Sequence, residues 1–285
     1  MSRSHRGGTL LALAASSLAL VACGGGEKAA PLSITASQSG KDFSVEAPKS
    51  IPAGLVKITF KNDGKKPADL QLVRVDGDHS PKEVLKVIQS EDGAPTPPWL
   101  HGAGGTGFTP PGKTTTSTQV LEPGRYQVLD LGGQGEDAPT NASKGAVTSL
   151  AVTGAKKKGE LPSTDAKITM KEYSFKAEGL KPGPNKVTIE NSGKELHHIV
   201  AAPIRPGATP ADIQKFIKEE GESKGPPPLD FEKGTNTPVL DTKQKQVLQL
   251  DLQPGKYELL CFISDRKGGP PHVAKGMVAQ VEVKK

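Results

Sequence analysis

Three residues near the C-terminus have the chemistry and spacing of a soft-metal site: Cys261, His272 and Met277. Ten residues separate the cysteine from the histidine, and four separate the histidine from the methionine. Strand patterns precede Cys261 and follow Met277, so a Gly/Pro-rich loop between two strands carries the set. Thiolate and thioether are soft ligands, and together with imidazole they suit copper. A trigonal site of one cysteine and two histidines with a weak axial methionine lacks only one more histidine.

An earlier strand is expected to supply that histidine. The segment ELHHIVAAP offers His197 and His198, shortly after an Asn-x-Gly turn. Neighbouring residues on a strand point to opposite faces, so only one of the two can face Cys261. The pattern leaves open which one does. The other is expected at the rim of the site or behind a ligand.

The other cysteine lies in an N-terminal segment that is typical of a secretory signal. Two arginines precede an apolar run that is too short for a membrane span. The segment Leu-Val-Ala-Cys that ends at Cys23 resembles a bacterial lipobox, which implies removal of residues 1–22 and lipidation of Cys23. An ordinary signal peptide is the alternative. We therefore expect an extracytoplasmic chain that is anchored to a bacterial membrane by the lipid on Cys23.

Lipidation of Cys23 leaves Cys261 without a disulfide partner in this chain. A free thiol in an oxidising compartment is a liability unless it is buried or bound to metal. A buried apolar cysteine is the plain alternative. The histidine and methionine that follow on the same loop favour metal.

An internal repeat organises the rest of the chain. Residues 52–75 and 181–204 both have the pattern of a strand, an Asn-x-Gly-Lys turn and a second strand. Each copy then has a helix start, a Pro-rich loop, a Pro-Gly-x-Tyr strand and a closing strand after Lys-Gly. With about seven short strands in each copy, the repeat predicts an all-β chain of two tandem antiparallel β-sandwiches.

Each copy also predicts one short inserted helix with a capping box. The first begins at Ser80, with Pro81 at the first helical position and Glu83 two residues later. The second repeats this order with Thr209, a proline and Asp212. Their apolar faces are expected to pack on the sandwiches.

The net charge of the chain argues against one class of partner. The net charge is +6, or +4 without the two signal arginines, with both signs interleaved. This charge is too mild to predict nucleic-acid binding.

The predicted order is a signal peptide over 1–22, a tether over 23–31, a first domain over 32–154, a linker over 155–164 and a second domain over 165–285.

The repeat also tests the metal prediction within one sequence. Without a gap, Cys261, His272 and Met277 of the second copy align with Asp130, Asn141 and Ala146 of the first, and His197 and His198 align with Ala68 and Asp69. At these aligned positions the first copy therefore lacks every one of the soft and imidazole groups, although its scaffold motifs remain. A metal site in the C-terminal domain alone predicts this pattern.

The second copy resembles a cupredoxin, the type 1 blue copper fold of plastocyanin, amicyanin and azurin. The resemblance rests on Leu-His-His-Ile-Val after the Asn/Gly turn, the Pro-Gly-x-Tyr strand into Cys261, and the order Cys, His, four residues, Met. It implies two Greek-key sandwiches, the first without ligands. It also implies one copper ion on His197, Cys261, His272 and Met277, with His198 in a place that the family gives to Asn. The ten-residue loop is longer than in plastocyanin-like proteins.

The function that the resemblance implies is one-electron transfer with a redox partner, without catalysis by this chain. The alternatives are copper storage or delivery to an exchange partner, and a metal-free binding module. A two-domain copper oxidase or nitrite reductase would need His-x-His pairs, which this sequence lacks. His79 and His101 are expected in loops of the first domain, and Trp99 is expected to pack beneath such a loop.

Overall fold

The computed structural model describes residues 28–90, 93–133, 139–219 and 225–284. The predicted signal peptide over 1–22, Cys23 and most of the tether lie outside these residues. In the described part of the chain, neither α-helix has the length and apolar character needed to cross a membrane. The lipid anchor therefore stays a prediction.

The described residues of the N-terminal half form nine strands and one α-helix. They are β1 (Ala30–Ser39), β2 (Asp42–Glu46), β3 (Ser50–Pro52), β4 (Gly54–Asn62), β5 (Ala68–Val75), α1 (Pro81–Ile88), β6 (Leu100–Thr109), β7 (Thr114–Leu121), β8 (Gly124–Asp130) and β9 (Val147–Thr153). A 3-10 helix over Ala142–Lys144 precedes the last strand.

The C-terminal half, over the residues that the structure describes, follows a similar order with eight strands and one α-helix. They are β10 (Ala166–Lys171), β11 (Ser174–Glu178), β12 (Gly183–Asn191), β13 (Val200–Pro203), α2 (Pro210–Lys218), β14 (Thr235–Asn236), β15 (Lys245–Leu252), β16 (Gly255–Leu260) and β17 (Val278–Val283). Two 3-10 helices cover Phe231–Lys233 and His272–Lys275. The predicted linker, residues 155–164, forms no helix or strand.

Each half is a sandwich of two sheets around its own core. In the first half, β2-β1-β4-β7 faces β3-β9-β8-β5-β6, and in the second, β11-β10-β12-β15 faces β14-β13-β16-β17. Alternating burial along the strands places one set of apolar side chains between the sheets. The prediction of an all-β fold with two sandwiches is confirmed. Most pairs are antiparallel, but β1 with β4, β3 with β9 and β10 with β12 are parallel.

Both helices begin as the capping boxes predict. The Ser80 hydroxyl accepts a hydrogen bond from the backbone N–H of Glu83, whose carboxylate accepts one from the backbone N–H of Ser80. Thr209 and Asp212 repeat this arrangement at α2. Val84 of α1 and Ile213 of α2 are buried in apolar clusters against their sandwiches. The prediction that these faces pack on the sandwiches is confirmed.

The two sandwiches share one continuous sheet, which the sequence did not indicate. Strand β7 of the first pairs antiparallel with β15 of the second, with Gln119 opposite Gln246 and Ser117 opposite Leu248. The joined sheet therefore has eight strands. Because the pairing is through backbone hydrogen bonds, it fixes the two halves relative to each other.

One sequence expectation about the first domain is wrong. His101 lies on strand β6 and not in a loop. Its neighbour Trp99 precedes that strand, packs against the apolar cluster of α1 and stacks on His79, with ring centroids 3.9 Å apart. A packing role for Trp99 fits this position.

Candidate metal centre

Cys261 directly follows β16, the strand that lies between β13 and β17. Its side chain is fully buried in the core cluster of the second sandwich. Burial raises the pKa of the Cys261 thiol to about 11, although the backbone N–H groups of His198 and Ile263 hydrogen-bond to it and oppose the shift. A thiolate at this position therefore needs a cation beside it.

The Asn-x-Gly turn positions His197. The buried side chain of Asn191 donates hydrogen bonds to the backbone carbonyls of Glu195 and Leu240, at 2.8 and 2.9 Å, and accepts one from the N–H of Gly193. His197 is then fixed by two backbone hydrogen bonds with Leu240. Asn62 makes the equivalent bonds in the first sandwich, so this turn belongs to the shared scaffold.

The other two predicted ligands lie beside a 3-10 turn that closes the loop. The backbone N–H of His272 donates to the carbonyl of Ile263, and that of Val273 donates to the carbonyl of Cys261. The N–H of Met277 in turn donates to the carbonyl of His272 across a left-handed Gly276. The loop thus returns His272 to the end of the strand that carries the cysteine.

These elements bring three ligating atoms together. The Sγ atom of Cys261 lies 3.5 Å from Nδ1 of His272 and 3.9 Å from Nδ1 of His197, and the two nitrogens are 3.0 Å apart. All three side chains are fully buried, and they form the one group of three or more potential metal ligands among the described residues. Met277 is also fully buried and packs in the same core cluster as the cysteine.

The spacing fits a metal ion of ordinary size. With metal–sulfur bonds of about 2.3 Å and metal–nitrogen bonds of about 2.0 Å, a sulfur and a nitrogen at a trigonal angle lie about 3.7 Å apart. The two observed sulfur–nitrogen distances lie on either side of this value. The two nitrogens are 3.0 Å apart, closer than the about 3.5 Å that a trigonal angle gives with the same bonds. The donor set also fits, because a thiolate, two imidazoles and a nearby thioether are the ligands that copper accepts.

Both histidines are in the protonation state that a metal requires. Burial lowers the pKa of His197 to about 4. Burial also lowers the pKa of His272, although the neighbouring Asp265 opposes this shift. Neutral imidazole is the form that binds a metal, so neither ring has to lose a proton at neutral pH.

The outer nitrogen of His272 is held by residues that the sequence analysis did not single out. Asp265 lies 3.0 Å from Nε2 of His272 and accepts hydrogen bonds from Tyr173, at 3.0 Å, and Lys275, at 2.5 Å. Burial would raise the pKa of Asp265, but its hydrogen bonds with Lys275, Tyr173 and His272 hold that pKa below its usual value. A carboxylate on the outer nitrogen fixes the tautomer and the ring orientation of a ligand histidine.

The signal for Asp265 was present in the repeat. Asp265 aligns with Gln134 of the first copy. Like the predicted ligands, this carboxylate therefore has no equivalent in the first copy. Tyr173 had no such signal, because it lies between β10 and β11 and reaches the loop only in the folded chain. The outer nitrogen of His197 lies 3.4 Å from Glu172 but outside hydrogen-bond geometry.

His198 lies outside the cluster of ligating atoms. Its Nε2 atom accepts a hydrogen bond of 3.0 Å from the backbone N–H of Phe262, the residue after Cys261. Burial lowers the pKa of His198 to about 4, which keeps the ring neutral and able to accept this bond. Of the two adjacent histidines, the structure therefore brings His197 to the cysteine and uses His198 to support the chain next to it.

In the first sandwich, hydrogen bonds occupy the equivalent position. Asp130, the counterpart of Cys261, accepts bonds from the side chain of Asn141 at 2.9 Å and from the backbone N–H groups of Asp69 and Gly132. Ala146, the counterpart of Met277, is fully buried. The carboxylate of Asp130 and the amide of Asn141 therefore satisfy each other's hydrogen-bonding capacity at this position.

No protein-family model matches the sequence, and no curated protein matches it. Among solved structures, the chain is similar to a dithionite-reduced auracyanin from Roseiflexus castenholzii, with 20% identity over 44% of this chain and 99% of that one and a TM-score of 0.30. It is also similar to a reduced rusticyanin, with 21% identity over 43% and 78% and a TM-score of 0.28. A copper nitrite reductase from Nitrosomonas europaea shows 13% identity over 90% and 95%, with a TM-score of 0.26.

Identities and TM-scores of this size assign no function. Both halves are β-sandwiches, each with its own core and a short α-helix. Within the described residues, only the C-terminal sandwich brings three potential metal ligands together.

Proposed function

We propose that the C-terminal sandwich binds one copper ion and that the protein transfers single electrons. The observation that carries this proposal is the convergence of the Cys261 sulfur and two imidazole nitrogens within 3.9 Å of one another in a fully buried site. Met277 in the same cluster supports copper over zinc, because structural zinc sites are built from cysteine and histidine without thioethers.

Copper in this site would supply one-electron chemistry between its Cu(I) and Cu(II) states. The protein's contribution is to hold the ligands in place, so that little has to move when the charge changes. Cys261 is held by β16, His197 by the Asn191 turn and His272 by backbone bonds to the cysteine segment. The backbone N–H groups that bond to the Cys261 sulfur would tune the reduction potential. No residue of the site is assigned a catalytic role.

Burial of the ligands favours electron transfer over copper delivery. A protein that hands its metal to a partner needs a ligand that can leave the site. Here both histidines and Met277 are fully buried, and Asp265 holds His272 from outside. Electrons can pass through packed protein where an ion cannot, so a closed site suits the first role.

The test is the visible absorption of residues 24–285 after addition of Cu(II), with Cys261→Ser as the matched control. We expect an intense thiolate-to-copper band in the parent protein and its loss in the variant. Weak absorption with rapidly exchanging copper would instead support delivery. Failure to bind either oxidation state of copper would contradict both copper functions and leave a metal-free binding module.

We further propose that the lipid on Cys23 anchors the protein to a bacterial membrane outside the cytoplasm, near a redox partner. The lipobox resemblance supports this location. Mass spectrometry of the mature N-terminal peptide should show that it begins at Cys23 and carries the lipid, and the corresponding peptide of Cys23→Ser should lack the lipid mass. A parent protein whose N-terminal peptide carries no lipid would contradict the anchor.

A further inference from the structure

The loop that carries His272 contacts the N-terminal sandwich as well as its own. Within its own sandwich, the N–H of Arg266 donates to the carboxylate of Glu195 at 2.7 Å. From there the loop runs across to the segment that precedes β6 in the other sandwich. The long spacer between Cys261 and His272, which sets this chain apart from plastocyanin-like proteins, is therefore the part that crosses between the domains.

Two backbone hydrogen bonds join the loop to the first domain. Thr96 donates to the carbonyl of Arg266, and Gly269 donates to the carbonyl of Gly93, both at 2.9 Å. Gly93 has φ of +80°, and a Cβ atom placed there would lie 2.8 Å from the carbonyl oxygen of Gly269. Glycine at position 93 is thus required by both the backbone conformation and the close approach.

The side chain of Arg266 adds a polar connection across the same boundary. It donates to the carbonyl of Leu100 in β6 at 3.2 Å and to the carboxylate of Asp241 at 2.5 Å. Asp241 is only 6% exposed and also bonds to His101 of β6, whose other nitrogen lies 2.8 Å from Asp76. Charge-assisted bonds to a buried carboxylate are among the stronger polar contacts. Removing one partner leaves the other charge uncompensated.

We propose that the domain without metal ligands braces the loop that holds His272, and that Gly93 and Arg266 are its positioning residues. This inference rests on the proposed function, because it gives the first domain a role in keeping a ligand in place. A ten-residue loop that is free at its centre would sample many conformations and place its histidine only part of the time. Bonds from a second domain reduce that freedom before the metal arrives.

Amide hydrogen exchange on the copper-free protein, residues 24–285, tests the brace. The readouts are the hydrogen-bonded amides of Gly269, His272 and Val273. In Arg266→Met and in Gly93→Ala we expect these amides to exchange about tenfold faster or more than in the parent, because the lost bonds lower the free energy of opening the loop. Amides in the cores of both sandwiches should change much less.

Each variant has a matched control in the same chain. Gly112→Ala tests a glycine of the first domain with φ of +70° whose Cβ would have nothing within 4 Å. Arg205→Met removes a second arginine that pairs with a largely buried aspartate, Asp230. Neither control should change exchange at the three loop amides.

The brace is overturned if the loop amides of Arg266→Met and Gly93→Ala exchange at the parent rate. It is also overturned if Gly112→Ala accelerates them as much as Gly93→Ala does. Because the measurement uses no copper, it separates failure of the brace from failure of the copper site. The N-terminal sandwich can restrain the loop that carries His272 even in a protein that does not bind copper.

Discussion

At the residue scale, two histidines that are adjacent in the sequence have different environments in the folded protein. His197 faces the cysteine sulfur, whereas His198 accepts a hydrogen bond from the backbone next to that cysteine. The expectation that both histidines lie on a strand is wrong, because β13 begins only at Val200 and His197 forms an isolated bridge with Leu240. Alternation along a strand could in any case not identify which of the two faces the cysteine.

The two histidines give a prediction in which each is the control for the other. His197→Ala should abolish the intense thiolate–copper absorption, because it removes one of the nitrogens beside the sulfur. His198→Ala should retain the band and lower the free energy of unfolding by about 1 kcal/mol, because the N–H of Phe262 loses its acceptor. Copper titration followed by absorption measures the first effect, and urea unfolding measures the second. Loss of the band in His198→Ala would reverse the assignment.

The identities of the candidate ligands could be predicted because cysteine, histidine and methionine restrict the chemistry by themselves. Asp265, Tyr173 and Arg266 could not be assigned roles in the same way. Aspartate, tyrosine and arginine occur on most protein surfaces, and their roles here depend on contacts between segments that are distant in sequence. Arg266, for example, reaches a carbonyl 166 residues away in the chain.

At the element scale, the repeated Asn-x-Gly turn has the same bonding in both domains but different consequences. Asn62 and Asn191 each donate two side-chain hydrogen bonds to backbone carbonyls and accept one from a glycine N–H. Only the second turn leads into a segment with a candidate ligand. Substitution of each asparagine can therefore distinguish an effect on the stability of the fold from an effect on the candidate metal site.

Replacing each asparagine by alanine should have one shared effect and one distinct effect. Both variants should lose about 1–3 kcal/mol in the free energy of unfolding, because buried carbonyls lose their donors. Only Asn191→Ala should also alter the copper spectrum, since it loosens the segment that holds His197. Urea unfolding and visible absorption on the same samples measure the two effects. An altered spectrum in Asn62→Ala would show that the turn affects the site indirectly.

The element order was predictable to a large degree. Capping boxes at Ser80 and Thr209 fixed both helices, and the repeat located the two sandwiches. The number of strands was underestimated, since the described parts of the two halves contain nine and eight strands in place of the predicted seven or so. The short strands β3 and β14 account for part of this difference, because two or three residues show no periodic pattern of burial in a sequence.

At the scale of the whole molecule, the boundary between the domains contains a titratable group. Asp69, the counterpart of His198, is half-buried and accepts a hydrogen bond of 2.6 Å from Asn236 of the other sandwich. Burial raises the pKa of Asp69 to about 7, despite the bond from Asn236, and the nearby Asp130 adds to the shift. The folded protein therefore binds this proton more tightly than the unfolded chain does.

A dependence of stability on pH follows from this shift. Asp69 contributes stability that is fully present below its unfolded pKa of about 3.8, and that contribution is lost as pH rises through about 7. Asp69→Asn removes the titration, so it should raise the thermal midpoint at pH 8 relative to the parent and have little effect at pH 4. Thermal unfolding across this range measures the difference. Asp42→Asn, at an exposed position of the same domain, is the control and should show no such trend.

The joined sheet was the part of the architecture furthest from prediction. Strand β7 has the sequence TTTSTQVL, whose alternation marks a strand with one buried face but does not identify its neighbour. Its pairing with β15 depends on how the two sandwiches meet. Local propensity does not encode that information.

That pairing also bears on how each half would behave alone. In a separate sandwich, β7 or β15 would be an edge strand with unpaired N–H and C=O groups, which is a template for aggregation. Each copy covers the other's open edge at Gln119–Ser117 and Gln246–Leu248. Cutting the chain at the linker should therefore yield two proteins that tend to self-associate. The N-terminal sandwich, which has none of the ligand residues at the aligned positions, would still be needed to keep the C-terminal sandwich soluble.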